Sequence, residues 1–345
     1  MSDHRKVARL LLLGSAVWLC LAVWGRPDVQ WRIAAEPGPG DAALWADFVN
    51  DLASGKPYYE TAVVDYHARG YPTFSVANFR QPMLYQSMAW LGVPFMLTLR
   101  AAAVMLLMVR VSQQFREWPW VAAVAHSCLF VAAPASVYFA ETWAGVLIGL
   151  SLLAALRGNI AVSVAWAVVG LSIRELVAPY CVVMVALAMR RHRWREVLMW
   201  VMGGTLYLAT YAVHARNALS VMPVGEPVSY TYFFFGGIPL MVRAVMFHGL
   251  FAFMPWWGAV PVLTSLILAG TARSMPSELR WTGIAYIAFF LVVGQPFNNY
   301  WGAVAAPVLA CWLPFAGASA RVRAIGHGAW EWHRRNAAER HPRQG

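Results

Sequence analysis

Ten apolar runs, at residues 7–25, 94–114, 119–138, 142–156, 159–173, 176–190, 197–214, 249–270, 281–295 and 302–318, are separated by short polar breaks, and their succession restricts the chain more than any other feature. Several approach the roughly 20 residues that a helix needs to cross about 30 Å of hydrocarbon. In lipid every backbone amide must be paired inside the protein, which leaves helices or closed barrels as spanning structures. The period-2 alternation of barrel strands is absent. The expected fold is therefore all-α: a polytopic membrane protein of about ten transmembrane helices. A hydrophobic fraction of 60% with only 12% charged residues agrees with it.

The net charge of +11 suggests nucleic acid until its placement is considered. Arg5, Lys6 and Arg9 precede the first run, and Arg321, Arg323, Arg334, Arg335, Arg340 and Arg343 follow the last. By the positive-inside rule both termini are expected to be cytoplasmic, and Arg190, Arg191, Arg193 and Arg195 mark the same side in mid-chain. The charge thus encodes topology, and no nucleic-acid partner is expected. Residues 1–345 form a single integral-membrane domain, with an outer loop at 26–93 and a basic cytoplasmic tail at 319–345. The first run has a signal-like start but no small-residue cleavage site, so it is expected to remain as a span. Cys20, Cys128, Cys181 and Cys311 lie in apolar runs without metal-ligand spacing, which predicts packing residues and no metal site or cofactor.

Residues 36–85 are the longest polar interval. Seven of the 16 acidic residues fall between Arg26 and Gln81: Asp28, Glu36, Asp41, Asp47, Asp51, Glu60 and Asp65. After the breakers Gly38, Pro39 and Gly40, Asp41 is placed to cap a helix on which Leu44, Trp45, Phe48 and Leu52 recur at helical spacing. That helix is expected to lie flat on the membrane surface, with Asp47 and Asp51 on its solvated face. Gly55 and Pro57 end it, an aromatic and charged stretch runs to Arg80, and Pro82 opens a second interfacial helix, MLYQSMAWLG. A further partly interfacial segment is expected at 215–248, carrying Arg216, Glu226, Arg243 and His248.

Charged residues at membrane depth are costly and tend to be functional, whereas those at span ends also serve as anchors. Asp41 has two compatible readings, a helix cap and a general base facing a surface cavity; Glu60 and Asp65 are weaker alternatives for the base. Arg80, in NFRQPMLY, is either an interfacial anchor or a phosphate ligand, and Lys56, in GKPYYE, would assist it as a point charge. Glu141 and the pair Arg174–Glu175 stand at the ends of three runs. Glu141 with Arg174 is the expected ion pair. Arg174 and Glu175, being adjacent, are expected to have different partners. His67, His214 and His248 lack metal spacing and read as surface or packing histidines, and His126 as a buried, hydrogen-bonded one.

The order of these motifs resembles a known superfamily. One span, then GDAALWA, GKPYY and FRQPMLY before the next span, is similar to the GT-C integral-membrane glycosyltransferases, including protein O-mannosyltransferases and the lipid A aminoarabinose transferase. The resemblance implies a donor sugar carried on polyprenyl phosphate, a glycan, lipid or protein acceptor, surrounding membrane lipids, and the outer face of a bacterial-type cytoplasmic membrane. It implies Asp41 as catalytic base and Arg80, Arg174 and Lys56 as phosphate ligands, with Glu141, Glu175, Tyr58 and His248 as secondary site residues. Tyr58, Tyr59, Trp256 and Trp257 would stack on sugar or line a lipid entrance, or belong to the ordinary interfacial belt. The chain departs from the family in having Asp41 alone where Asp-Glu is common, Gln81 where a proline is common, and no C-terminal soluble domain. A transporter or lipid flippase would instead show repeats and helices broken near mid-membrane, and a non-catalytic subunit of a glycan-assembly complex would share the same composition.

Overall fold

The computed structural model describes residues 40–223, 235–247, 249–253, 258–295 and 297–316. The first apolar run, both basic termini, Glu226, His248, Trp256 and Trp257 lie outside the described residues. Among those described, every regular element is helical and no strand occurs.

The segment between Gly40 and Gly92 folds upon itself. Helix α1 (Asp41–Ala53) buries Leu44, Trp45, Phe48, Val49 and Leu52, the stripe visible in the sequence. Its apolar face does not wait for lipid. Helices α2 (Tyr58–Ala68) and α3 (Pro82–Leu91) cover it, Tyr85 stacking on Trp45 with centroids 4.9 Å apart and Tyr58 meeting Phe48 edge-on at 5.0 Å. The stripe is thus buried by the two helices that follow it in the chain. An apolar stripe gains about as much from aromatic neighbours as from lipid, and burying each large side chain is worth about 1.5–3 kcal/mol. The second expected interfacial helix is present as α3, begun by Pro82 at its first position. Helix α2 had no periodic signal, for it buries only Thr61, Ala62 and Tyr66.

Helix α4 (Val93–Phe115) follows α3 after Gly92 and spans 23 residues. Helix α5 (Trp118–Ser127) is shorter than the expected run at 119–138, which breaks after Ser127 into 3-10 turns at Phe130–Ala132 and Pro134–Tyr138. Pro134 lacks an amide hydrogen and cannot continue an α-helix. The buried Arg100 of α4 binds the broken stretch, donating to Ser136 Oγ at 2.9 Å and to the carbonyl of Ala133 at 3.3 Å.

Helices α6 (Ala140–Leu156) and α7 (Ile160–Ile173) form a tight hairpin, with α6 buried on nearly all sides. A Cβ on Gly145 would stand 2.2 Å from the carbonyl oxygen of Ala303, so this glycine lets the final helix, α13 at 302–316, touch α6 backbone to backbone. Ser151 of α6 bonds Ser163 at 3.0 Å and the hydroxyl of Tyr180 at 2.8 Å, satisfying three buried hydroxyls together. Tyr180 belongs to α8 (Ala178–Arg190), which leads into α9 (Trp194–Val221), the longest helix at 28 residues.

Past the undescribed stretch lie α10 (Gly237–Met246), α11 (Ala259–Gly270) and α12 (Ser277–Val292). The expected run at 249–270 is again interrupted, being a 3-10 turn at Gly249–Phe253 and then α11. Two described helices, α4 and α9, are both long and apolar enough to cross a membrane. The outward face of α9 carries Leu198, Met202, Leu206 and Val213, all exposed, a surface that water would oppose. Cys128, Cys181 and Cys311 are unpaired thiols, in keeping with packing roles.

Candidate functional site

Arg80 is set by its own backbone. Proline at 82 forces the preceding Gln81 into extended geometry (φ −67°, ψ 141°), so Arg80 stands outside any helix. Two tyrosines of α2 grip it from opposite ends. Tyr58 donates its hydroxyl to the Arg80 carbonyl at 3.0 Å, and the Arg80 amide donates to the Tyr66 oxygen at 3.4 Å. The guanidinium lies over the Trp45 ring, 5.4 Å from its centroid, and 3.7 Å from Glu141 Oε1.

Glu141 sits in the first turn of α6, where unpaired amides and the helix dipole favour a carboxylate, and its side chain is 2% exposed. Arg174 reaches the same oxygen, its Nε donating to Glu141 Oε1 at 2.7 Å. The expected ion pair is therefore present, and Arg80 shares it. Arg174 also donates to Glu175 Oε1, contrary to the expectation of different partners. That expectation assumed both residues on a helix. Instead Arg174 is extended (φ −153°, ψ 119°) at the break between α7 and the 3-10 turn Glu175–Val177, which frees its fork to serve two carboxylates. The guanidinium also lies over the Trp301 ring at 5.7 Å.

The charges hold one another ionised. Burial is the largest single influence on the Arg80 cation and disfavours it, but Glu141, Tyr300, Tyr85 and Glu175 together outweigh it, and the guanidinium stays well above its ordinary range. Burial likewise pushes the Glu175 carboxyl up, yet Arg174 and Arg80 together bring it below the usual carboxylate range. The two arginines are not equivalent. Arg174 is fully engaged by two carboxylates, whereas Arg80 meets Glu141 only beyond hydrogen-bond distance, so among the described residues its guanidinium donates no hydrogen bond and is available to an anion.

Asp41 occupies the first turn of α1, but Gly40 is the cap residue and no side chain caps the helix. The cap reading is thus corrected: the carboxylate accepts the hydroxyl of Tyr71 instead, which removes it from its own backbone. Tyr71 is tied into the segment by its amide, which donates to the Tyr66 carbonyl at 2.8 Å. Burial, and then the Asp41 hydrogen bond, push the Tyr71 phenol up, so it stays protonated at neutral pH and donates a hydrogen bond to Asp41.

Tyr300, in a 3-10 turn Asn298–Trp301 directly before α13, connects the two halves. Its phenol, pushed up to about 12 chiefly by burial, lies within the electric field of Arg80, Glu141, Asp41 and Arg174 alike. Asp41, Arg80 and Arg174, far apart in sequence, thus all act electrostatically on one phenol. Tyr71, Tyr300, Trp301 and Gln81 were not singled out from the sequence. The polar, aromatic run QPFNNYWG between two apolar stretches is the sequence signal from which Tyr300 and Trp301 could be found.

Other expected members stay outside. Lys56 pairs with Asp51 at 2.7 Å on the exposed end of α1, and so belongs to the solvated face rather than the phosphate ligands. Asp47 pairs with Arg69 on the same surface. Tyr58 supports the Arg80 backbone, and Tyr59 bonds His214 Nδ1 at 3.0 Å. Glu60 is exposed, and Asp65 is half-buried with its carboxyl raised first by burial and then by Asp51. His67 bonds Thr73 at 2.8 Å, and His126 packs on Phe251 with ring centroids 4.6 Å apart. Among the described residues no group of three or more His, Cys, Asp or Glu is arranged to hold a metal ion. No protein-family model, curated protein or solved structure matches the chain, so the geometry of this cluster carries its interpretation alone.

Proposed function

We propose that the chain is a glycosyltransferase that moves a sugar from a polyprenyl-phosphate donor to an acceptor hydroxyl at the outer face of a bacterial-type cytoplasmic membrane. The observation that carries this reading is the buried cluster in which Arg80 and Arg174 share Glu141, with Asp41, Arg80, Glu141 and Arg174 all acting electrostatically on Tyr300. The chain would cross the membrane about ten times with both termini cytoplasmic, α4 and α9 being whole spans and the shorter apolar helices contributing the others.

In this reading the acceptor oxygen forms a bond to the anomeric carbon as the carbon–oxygen bond to phosphate breaks. Asp41 takes the acceptor proton, held in place by Tyr71. The departing polyprenyl phosphate carries the electron pair, and Arg80 stabilises that charge. Arg174 acts at one remove, fixing Glu141 and thereby the orientation of Arg80. Lys56 has no part in it.

The test is direct. Purified protein in lipid nanodiscs is supplied with polyprenyl phosphates bearing different sugars, and release of free polyprenyl phosphate is measured for wild type and Asp41→Asn. Release by wild type with a loss of at least about 100-fold in the variant is expected. Equal release by the two would end the role of Asp41, and no release with any donor or acceptor would end the transferase reading.

A further inference from the structure

A second polar surface begins on the far side of Arg174. Tyr207, Tyr211 and His214 follow one another at helical spacing along one face of α9, with ring centroids 5.7 Å and 5.5 Å apart in turn. Tyr59 of α2 extends the row, its ring 5.7 Å from that of His214 and its hydroxyl bonded to His214 Nδ1 at 3.0 Å. The Glu175 carboxylate acts electrostatically on Tyr207, Tyr211 and His214 alike. Gln81 closes the end, its Nε2 donating to the Leu171 carbonyl at 2.9 Å and to the Tyr207 oxygen at 3.3 Å.

The row has a built interior and a reachable edge. Tyr207 and His214 are buried at 9% and 4%, whereas Tyr211 and Tyr59 are half-buried and the Glu175 side chain is 38% exposed. These groups sit on a helix whose other face is apolar and exposed. At 1.5 Å per residue, Tyr207 and His214 stand about 20 and 30 Å from the basic start of α9, within and at the border of the distal half of a bilayer. Aromatics of an ordinary interfacial belt ring a helix end and face outward. This row faces inward, toward Gln81 and Glu175.

We infer that Tyr211, Tyr59 and Glu175, supported by Tyr207, His214 and Gln81, form a subsite for the sugar of a lipid-borne donor that enters sideways from the bilayer. The inference rests on the transferase reading for its choice of ligand. The chemistry favours a neutral, polyhydroxylated ring: Glu175 is already balanced by Arg174 and so has little pull on a cation, while phenol and imidazole groups offer hydrogen bonds beside ring faces that accept the apolar side of a pyranose or furanose. Arg80, on the other side of Arg174, is then placed for the phosphate of the same lipid.

The experiment measures binding, not turnover. Wild type, Tyr211→Ala, Tyr211→Phe and Asp41→Asn in nanodiscs are titrated, with native mass spectrometry as readout, against undecaprenyl phosphate and against its glucosyl, mannosyl and arabinosyl derivatives. Wild type is expected to bind one sugar-bearing lipid about 10-fold more tightly than undecaprenyl phosphate. Tyr211→Ala should erase that preference without changing affinity for the sugar-free lipid, Tyr211→Phe should keep most of it, and Asp41→Asn should keep all of it. The inference is overturned if wild type shows no preference for any of the sugars, or if Tyr211→Ala weakens sugar-bearing and sugar-free lipids equally. If Asp41→Asn retains full turnover while Tyr211→Ala loses the sugar preference, the catalytic reading falls and the subsite stands.

Discussion

Glu141 lies between two guanidiniums, and the consequence of removing it follows from its contacts. Glu141→Leu leaves Arg174, whose side chain is 3% exposed, with Glu175 as its remaining carboxylate, and leaves Arg80, 11% exposed, without the acid 3.7 Å away. Breaking a buried pair by deleting one partner costs about 3–5 kcal/mol. Because Arg174 keeps a second carboxylate, the cost should fall near the lower end, about 3 kcal/mol. Arg174→Met strands Glu141 with only the distant Arg80, at a similar cost. Removing both charges together leaves no stranded ion at the centre, since Glu175 reaches solvent and Arg80 stays over Trp45. Independent effects would sum to about 6 kcal/mol in Glu141→Leu/Arg174→Met, whereas a coupled pair should leave the double variant near about 3 kcal/mol. Reversible unfolding in bicelles, followed by the fluorescence of the 18 tryptophans, measures all four corners of the cycle. Additivity within about 0.5 kcal/mol would refute the reasoning, because residues acting on one shared oxygen cannot be energetically independent.

Acid should loosen the same cluster. The folded Glu175 carboxyl lies below its unfolded value of 4.5, so its contribution is complete above that pH and is lost as pH falls through the lower folded value; Glu175→Gln should flatten the melting temperature between pH 4.5 and the acid limit, and an unchanged slope would exclude the linkage. Two glycines, one in α6 and one in α9, should respond oppositely to alanine. Gly145→Ala forces a methyl within 2.2 Å of the Ala303 carbonyl and should cost about 3 kcal/mol, whereas Gly204→Ala meets nothing within 4 Å and should gain up to about 1 kcal/mol by helix propensity. The comparison is read from unfolding midpoints, and equal shifts would contradict the backbone contact between α6 and α13. Tyr71→Phe, which removes the donor that holds Asp41, should lower kcat about 10-fold while leaving KM unchanged in the donor-hydrolysis or transfer assay; a change confined to KM would place Tyr71 in binding instead.

The sequence revealed elements whose physics is local. The stripe Leu44, Trp45, Phe48 and Leu52 defined α1 because its period is that of a helix, and Pro82 defined the start of α3. The Glu141–Arg174 pair was legible because both charges stand at ends of apolar runs, where ions are too costly to remain unpaired. What decided the remainder is not local. Nothing in the composition of 119–138 distinguishes a span from α5 followed by two 3-10 turns, since the break depends on Pro134 and on a guanidinium arriving from α4. Helix α2 has no apolar stripe and is held by tertiary contacts, above all the tyrosines that grip Arg80. The cap reading of Asp41 failed through competition: a carboxylate one position inside the helix found a better donor, Tyr71, thirty residues away in sequence.

The placement of the cluster has a common cause. Asp41, Glu141 and Glu175 each occupy the first turn of a helix or 3-10 turn, the positive end of its dipole. Arg174 stands on extended backbone immediately before Glu175–Val177, Arg80 stands two residues before α3, and Tyr300 lies in the turn before α13. The acids then hold the arginines charged in a buried place, as the elevated Arg80 requires. Arginine 80 is therefore charged because of the scaffold, not because of solvent. A ligand phosphate that displaced Glu141 from its edge would meet a cation already paid for by folding, and that is the condition under which a buried arginine can receive charge developing on a leaving group.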